Sequence, residues 1–343
     1  MPIANSGKVL ATGANGYIAI WVVKALLEQG YSVRGTVRSE SKGTHLKERF
    51  KSYGDKLEVV VVEDITKEGA FDEAVKGVDV VEHMASPFHF NAEDPNELIT
   101  PAVAGTSGVL QSALLHGKDV KRIVVLASTA AILETNRSAP VVFTEDDWNN
   151  HAIQQVETKG KDASPADKYQ ASKTLAEKAA WAFYEQHKNE VKWDLVVLNP
   201  PFVFGPVLHA VDSPESLNTS AKEWYYNVVK GRLDQEALAN SGSSYVDVRD
   251  LAEAHVLAIR KEEASGNRII ISAGAFKWQD WVNASRLVAP ELPPGNTSYK
   301  REKAVHQRSY DNSKAAKLLQ LPYRTLEATA ADCIADFKQK GWL

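Results

Sequence analysis

The stretch Lys8-Val9-Leu10-Ala11-Thr12-Gly13-Ala14-Asn15-Gly16-Tyr17-Ile18-Ala19 decides how this chain is read. A short apolar run ends at Thr12, and an amphipathic helical pattern runs from about Tyr17 to Gln29, where Gly30 stops it. The glycine loop between them has the spacing G-x-x-G-x-x-A rather than the usual G-x-G-x-x-G. Gly13 permits a tight turn, Gly16 lets backbone approach a pyrophosphate, and Ala19 lets helix and strand pack closely. The helix N-terminus then faces the phosphates. The loop, with Asn15, Tyr17 and Ile18, is expected to hold a dinucleotide; an ordinary glycine turn is the alternative.

Working outward, further apolar runs read as strands at Ser32 to Val37, Leu57 to Val62, Val78 to Met84, Arg122 to Ala127 and Trp193 to Leu198. Helical patterns separate them, the clearest from about Glu97 to Leu115. Alternation of strand and helix predicts parallel pairing, and near-continuous apolar strands predict a sheet covered on both faces. The expected class is α/β, a Rossmann-type doubly wound parallel sheet with a smaller, mostly helical C-terminal substrate lobe. The rhythm breaks after Asn199-Pro200-Pro201. Pro206 to Asn218 reads as a long loop, Ser220 as the cap of a helix reaching Val229, and Val248 to Arg260 as a helix. Arg268 to Ser272 reads as a strand returning to the sheet. The expected division is a nucleotide domain of residues 1–200 with 243–272 returning to it, and a substrate lobe of residues 201–242 and 273–343.

Composition excludes several classes. The chain has 343 residues, 44% hydrophobic and 24% charged, with a net charge of −4. These are ordinary values for a soluble globular protein, and without a basic tract nucleic acid and membrane surfaces are not expected partners. The single cysteine, Cys333, excludes an intramolecular disulfide framework and a multi-cysteine metal site, and His89 and His209 have no partners at metal-ligand spacing, so no metal is expected. The first residues lack a signal-peptide pattern and no uninterrupted apolar run reaches the ~18 residues of a membrane helix, so a cytoplasmic location is expected. Monomer and homodimer are both left open.

The second strand ends at Val37 with Arg38 following and Lys42 close behind. An acid at this point would favour a free ribose hydroxyl, whereas a guanidinium binds a 2′-phosphate bidentately. NADP(H) is therefore the expected cofactor. Asp64-Ile65, past the third strand, suits an adenine amino group and ring face; Asp64 reads equally as a helix cap.

Tyr-x-x-x-Lys recurs five times among the eleven tyrosines, at Tyr169, Tyr184, Tyr226, Tyr299 and Tyr310. Only Tyr169–Lys173 opens a helix that follows a strand ending in a serine, Ser128, and precedes the strand ending at Asn199. Ser164-Pro165-Ala166-Asp167 provides the cap, the first-position proline and the first-turn acid. Residues four apart share a helix face, so tyrosine and lysine point together. The others read as surface helix pairs. Ser128 is expected to bind a carbonyl oxygen where charge develops and Tyr169 to donate a proton. Lys173 is expected to lower the phenol's pKa and to hold ribose hydroxyls.

Together these residues resemble the extended short-chain dehydrogenase/reductase family. Within it the chain is similar to the dihydroflavonol-reductase-like group, nearest to fungal NADPH-dependent carbonyl reductases of the methylglyoxal (isovaleraldehyde) type. The resemblance rests on the glycine loop, Arg38-Ser39, His83-Met84-Ala85-Ser86-Pro87-Phe88, Ser128-Thr129, Tyr169-Gln170-Ala171-Ser172-Lys173, Asn199-Pro200-Pro201-Phe202-Val203-Phe204-Gly205-Pro206, and Tyr245-Val246-Asp247-Val248-Arg249-Asp250. It implies cofactor contacts at Ala85, Ser86, Pro200 and Val203, and a substrate pocket including Phe88, Thr129 and Phe202. Trp224, on the lobe's first helix, is read as pocket lining or as packing. The chain departs from the family at Ala127, where relatives often carry a hydroxyl, and at Ala104, where many have asparagine. The expected activity is NADPH-dependent reduction of aldehydes and ketones, small or hydrophobic. A nucleotide-sugar epimerase or dehydratase on the same fold and a non-catalytic NADP sensor are the rivals.

Overall fold

The computed structural model describes residues 6–86 and 92–343. Phe88, with its neighbours His89 and Phe90, lies outside the described residues. In chain order the strands are β1 (Lys8–Ala11), β2 (Ser32–Val37), β3 (Leu57–Val61), β4 (Val80–His83), β5 (Arg122–Leu126), β6 (Val141–Phe143), β7 (Asp194–Asn199), β8 (Phe202–Phe204), β9 (Gly242–Asp247), β10 (Arg268–Ile270), β11 (Gly274–Lys277) and β12 (Arg308–Tyr310). The helices are α1 (Tyr17–Glu28), α2 (Glu40–Arg49), α3 (Asn96–His116), α4 (Asn150–Lys159), α5 (Pro165–His187), α6 (Thr219–Trp224), α7 (Gln235–Asn240), α8 (Val248–Arg260), α9 (Trp278–Arg286), α10 (Ser313–Leu318) and α11 (Leu326–Gln339).

Seven strands form a parallel sheet in the order β10-β7-β5-β4-β1-β2-β3. Successive strand residues point to opposite faces, and both faces are apolar. Val9, Val80, Val124 and Leu198 join the core beneath α1 and α8. Leu10, Val81, Ile123 and Val197 join the one beneath α3 and α5. The continuous Val/Ile/Leu runs therefore reflect burial on two sides. Although α3 has the length and apolarity of a membrane span, it packs against α5 over the sheet. The chain reverses direction across the sheet between β1 and β4. A crevice outside the carboxyl ends at that switch is where such sheets take ligands.

The second lobe is built on a small sheet in which β9 pairs with β8 in parallel and with β11 antiparallel. Its centre is aromatic: the Phe204 and Trp281 ring centroids are 5.1 Å apart, and those of Tyr245 and Trp281 are 4.9 Å apart. β9 thus belongs to the small sheet, and the return to the main sheet starts with α8 rather than at residue 243. The helix expected to be capped by Ser220 is capped two residues earlier, by Asn218, and passes at Tyr225 into a wider π-helical turn ending at Val229. Two three-residue strands, β6 and β12, pair in parallel and carry the C-terminal segment back over the main sheet's carboxyl edge.

Candidate active site

Three clefts join into one channel along that edge. The first, about 610 Å³, is lined by Gly13, Asn15, Gly16, Arg38, Lys42, Asp64, Ile65, Ala85 and Ser86 among others. It shares Gly13, Gly16 and Ser86 with a second of about 290 Å³, which also reaches Tyr17, Ile18, Lys173, Pro200 and Val203. Ser128 and Tyr169 form the junction between this and a third of about 260 Å³ under the second lobe, lined by Thr129 and Phe202.

The first two clefts fit a dinucleotide. Gly13 has φ +64°, and a Cβ there would lie 3.1 Å from the Ala85 backbone, so the turn needs glycine. Gly16 caps α1 with no side chain of its own to bond the first turn, whose residues Tyr17, Ile18 and Ala19 line the cleft. Tyr17 lines the second cleft, and its hydroxyl donates to the Gly205 carbonyl 3.1 Å away. Arg38 and Lys42 supply positive charge at the far end. Asp64 caps no helix: its carboxylate accepts from the Thr66 N–H at 2.9 Å and hydroxyl at 2.6 Å, fixing a turn. These bonds hold its pKa below the ordinary carboxylate value. Ile65 fits against Gly105 of α3, where a Cβ would come within 2.8 Å of its Cδ1.

At the junction, Ser128 follows β5 in extended backbone and its Oγ accepts from the Ala130 N–H at 3.1 Å. It is also hydrogen-bonded to Tyr169. Helix α5 is fixed at its start by Ser164, which accepts from the Asp167 N–H at 3.0 Å and donates to its carboxylate at 2.7 Å. Lys173 Nζ lies 6.0 Å from the Tyr169 ring centroid. The expectation of a lowered tyrosine pKa fails: burial pushes it up to about 12, opposed by the Ser128 bond. At 6.0 Å the ammonium does not offset that desolvation, and burial lowers Lys173 itself to about 8.

Behind Lys173 sits His83, at the end of β4. Thr12 Oγ accepts from the N–H groups of Met84 and Ala85, both at 2.9 Å, so its proton goes to His83 Nδ1, 3.1 Å away. Burial and the charge of Lys173 hold His83 neutral, with a pKa of about 3. The other ring nitrogen, Nε2, lies 3.4 Å from Thr106 Oγ1, so the imidazole is held by threonines on both sides.

Other residues were not picked out from sequence. Asn199, at the end of β7, donates through Nδ2 to the Ser128 carbonyl at 3.2 Å and to Glu177 at 2.7 Å. Glu177 takes a charge-assisted bond from Arg268 Nε at 2.5 Å, and the Arg268 guanidinium lies 3.5 Å from the Trp148 ring centre. This buried set ties the serine strand to the tyrosine helix. Glu177 follows Lys173 by four residues, a spacing that would have revealed it. Tyr310, read as part of a surface helix pair, instead ends β12, lines the third cleft and is hydrogen-bonded to Thr129. Burial pushes its pKa up to about 12. Trp224 does not line that cleft. It is 1% exposed and packs against Trp281 and Phe337, while the preceding residue, Glu223, faces the cleft.

A model of the NAD-dependent epimerase/dehydratase family matches residues 9–274. The chain belongs to that family. Among its members it is 35% identical to a putative NADPH-dependent methylglyoxal reductase of Candida albicans, over 97% of this chain and 99% of the relative. It is 36% identical to a ketoreductase of Aspergillus niger, over 97% of this chain and 98% of the relative. Among solved structures it is similar to yeast methylglyoxal/isovaleraldehyde reductase complexed with NADPH. The TM-score is 0.87 and the identity 34%, over 98% of this chain and all of the other.

Proposed function

We propose that this protein is an NADPH-dependent carbonyl reductase that converts aldehydes and ketones to alcohols. The observation that carries the reading is the Ser128–Tyr169 hydroxyl pair at the junction of the dinucleotide-shaped clefts and the third cleft, with Lys173 behind it. Relatives named as NADPH-dependent reductases and as a ketoreductase support it.

The glycine loop and the first turn of α1 would hold the pyrophosphate, and Arg38 with Lys42 the 2′-phosphate. The bound nicotinamide supplies hydride. A carbonyl oxygen lying between Ser128 Oγ and the Tyr169 hydroxyl takes a hydrogen bond from each, so both donors meet the charge that develops on it. Ser128 Oγ accepts from the Ala130 N–H at 3.1 Å, and its own hydroxyl points at the Pro200 carbonyl 3.5 Å away, a long bond that a substrate oxygen can replace. Tyr169 then passes its proton to the oxygen. A phenol held near pKa 12 is fully protonated at neutral pH, the state a reduction requires. Lys173 lies near enough to favour the phenolate left behind. The apolar side chains Leu133, Pro201 and Phe202 in the third cleft suit the carbon skeleton of the substrate.

The reading is tested by following NADPH absorbance with a panel of aldehydes, ketones, keto esters and nucleotide sugars. Consumption of NADPH matched by alcohol product is expected with simple carbonyls. Failure to turn over any carbonyl refutes the reading.

A further inference from the structure

The third cleft has an unusual charge. Its lining consists of apolar side chains, a set of neutral hydroxyls and amides including Thr129, Thr219, Ser220, Ser243 and Tyr310, and one ionisable carboxyl, Glu223. Among the described residues no lysine, arginine or histidine lines it. The cations of the channel, Arg38, Lys42 and Lys173, all belong to the other two clefts. Helix α6 divides its side chains between two environments: Thr219, Ser220 and Glu223 line the cleft, whereas Ala221 and Trp224 are buried in the lobe's core. The backbone that seats Trp224 therefore also fixes where Glu223 projects.

Burial raises the pKa of Glu223 and the charge of Arg232 opposes that rise. Arg232 is not part of the lining, and its Nε donates to Asn227 at 2.9 Å. A carboxylate facing a cleft that no cation among the described residues lines, with Arg232 acting on it only from outside the lining, repels a second anion more strongly than it would in bulk water. It also accepts hydrogen bonds from hydroxyl or ammonium groups.

We propose that Glu223 sets the charge preference of the substrate site. Carbonyl compounds whose tails are neutral, hydroxyl-bearing or cationic are accepted, and those carrying a carboxylate or phosphate are rejected. This rests on the reductase reading of the same cleft. It narrows the substrate class to uncharged or amine-bearing aldehydes and ketones, and it removes 2-oxo acids, sugar phosphates and nucleotide sugars. Specificity here is built from a repulsive element as well as from contacts.

The test uses three small ketones that differ in charge: pyruvate, methyl pyruvate and aminoacetone. For the wild-type protein with NADPH, kcat/KM for methyl pyruvate should exceed that for pyruvate at least tenfold, equivalent to about 1.4 kcal/mol. Glu223→Gln keeps size and hydrogen-bonding capacity and removes the charge. It should raise kcat/KM for pyruvate about tenfold, lower that for aminoacetone severalfold and change methyl pyruvate by less than about threefold, the opposite signs being the signature of charge. Calorimetric titration of the same ligands into both proteins gives the same ordering without requiring turnover. Binding discrimination without reduction of any ketone would therefore sink the reductase reading and leave this inference standing. Equal handling of pyruvate and methyl pyruvate by the wild type, or an unchanged ratio in Glu223→Gln, overturns the assignment.

Discussion

Replacing Lys173 by methionine should make the ligand-free protein more stable while ending its activity. The lysine is half-buried, and burial lowers its pKa from 10.5 to about 8. The native state thus holds this proton more weakly than the unfolded chain. The penalty is fully present below pH 8 and disappears as pH rises towards 10.5, where the unfolded chain also loses its proton. At ~1.4 kcal/mol per pH unit the full penalty is about 3 kcal/mol. Solvent reaching this partly buried side chain reduces this to about 1–2 kcal/mol. Tyr169 acts with the opposite sign. Its pKa of about 12 against 10.0 gives stability that is present below pH 10 and lost as pH climbs towards 12. The comparison is therefore made between the two proteins at each pH, by urea unfolding from pH 7 to 10 without nucleotide. Lys173→Met should be more stable by about 1–2 kcal/mol at pH 7, with the advantage shrinking above pH 8. A variant that is no more stable at pH 7, or whose advantage does not change with pH, would refute the claim that folding desolvates a charged lysine at this site.

Two further outcomes follow from the geometry. Arg38→Ala should weaken NADPH by about 1.5–3 kcal/mol, the worth of charge-assisted bonds to a phosphate, and leave NADH within about threefold; equal losses measured by fluorescence titration would exclude a 2′-phosphate role. Asn199→Ala strips a bond from the Ser128 carbonyl and another from buried Glu177. It should lower stability by about 2–4 kcal/mol in urea unfolding. An unfolding midpoint indistinguishable from that of the wild type would contradict the bracing role.

The Rossmann half was legible because its signals are local and repeated. Each apolar run of β1, β2, β4, β5 and β7 is bounded by turn residues, and the glycine loop fixes which joint comes first. The second lobe was less legible for a physical reason. Strands β6, β8 and β12 have three residues each, too few for a period-2 pattern, and their pairing is set by long-range contacts. Tyr310 was misassigned for that cause: its Tyr-x-x-x-Lys spacing suggests a helix, but β12 ends at the tyrosine and α10 begins only at Ser313. Trp224 and Glu223 show a second limit. Adjacent residues on a short helix divide between core and cleft, and which faces inward depends on the lobe's packing. The tyrosine pKa shows a third. Spacing put an ammonium near the phenol, but only coordinates reveal that burial outweighs it.

The most direct measurement is single-turnover hydride transfer in Tyr169→Phe. This variant removes one oxygen and leaves the glycine loop, Arg38 and Lys173 in place. The account predicts that NADPH binds within about threefold of the wild type while carbonyl reduction falls by at least about 10²-fold, the scale of a general-acid contribution. Reduction at the wild-type rate with NADPH bound would contradict it.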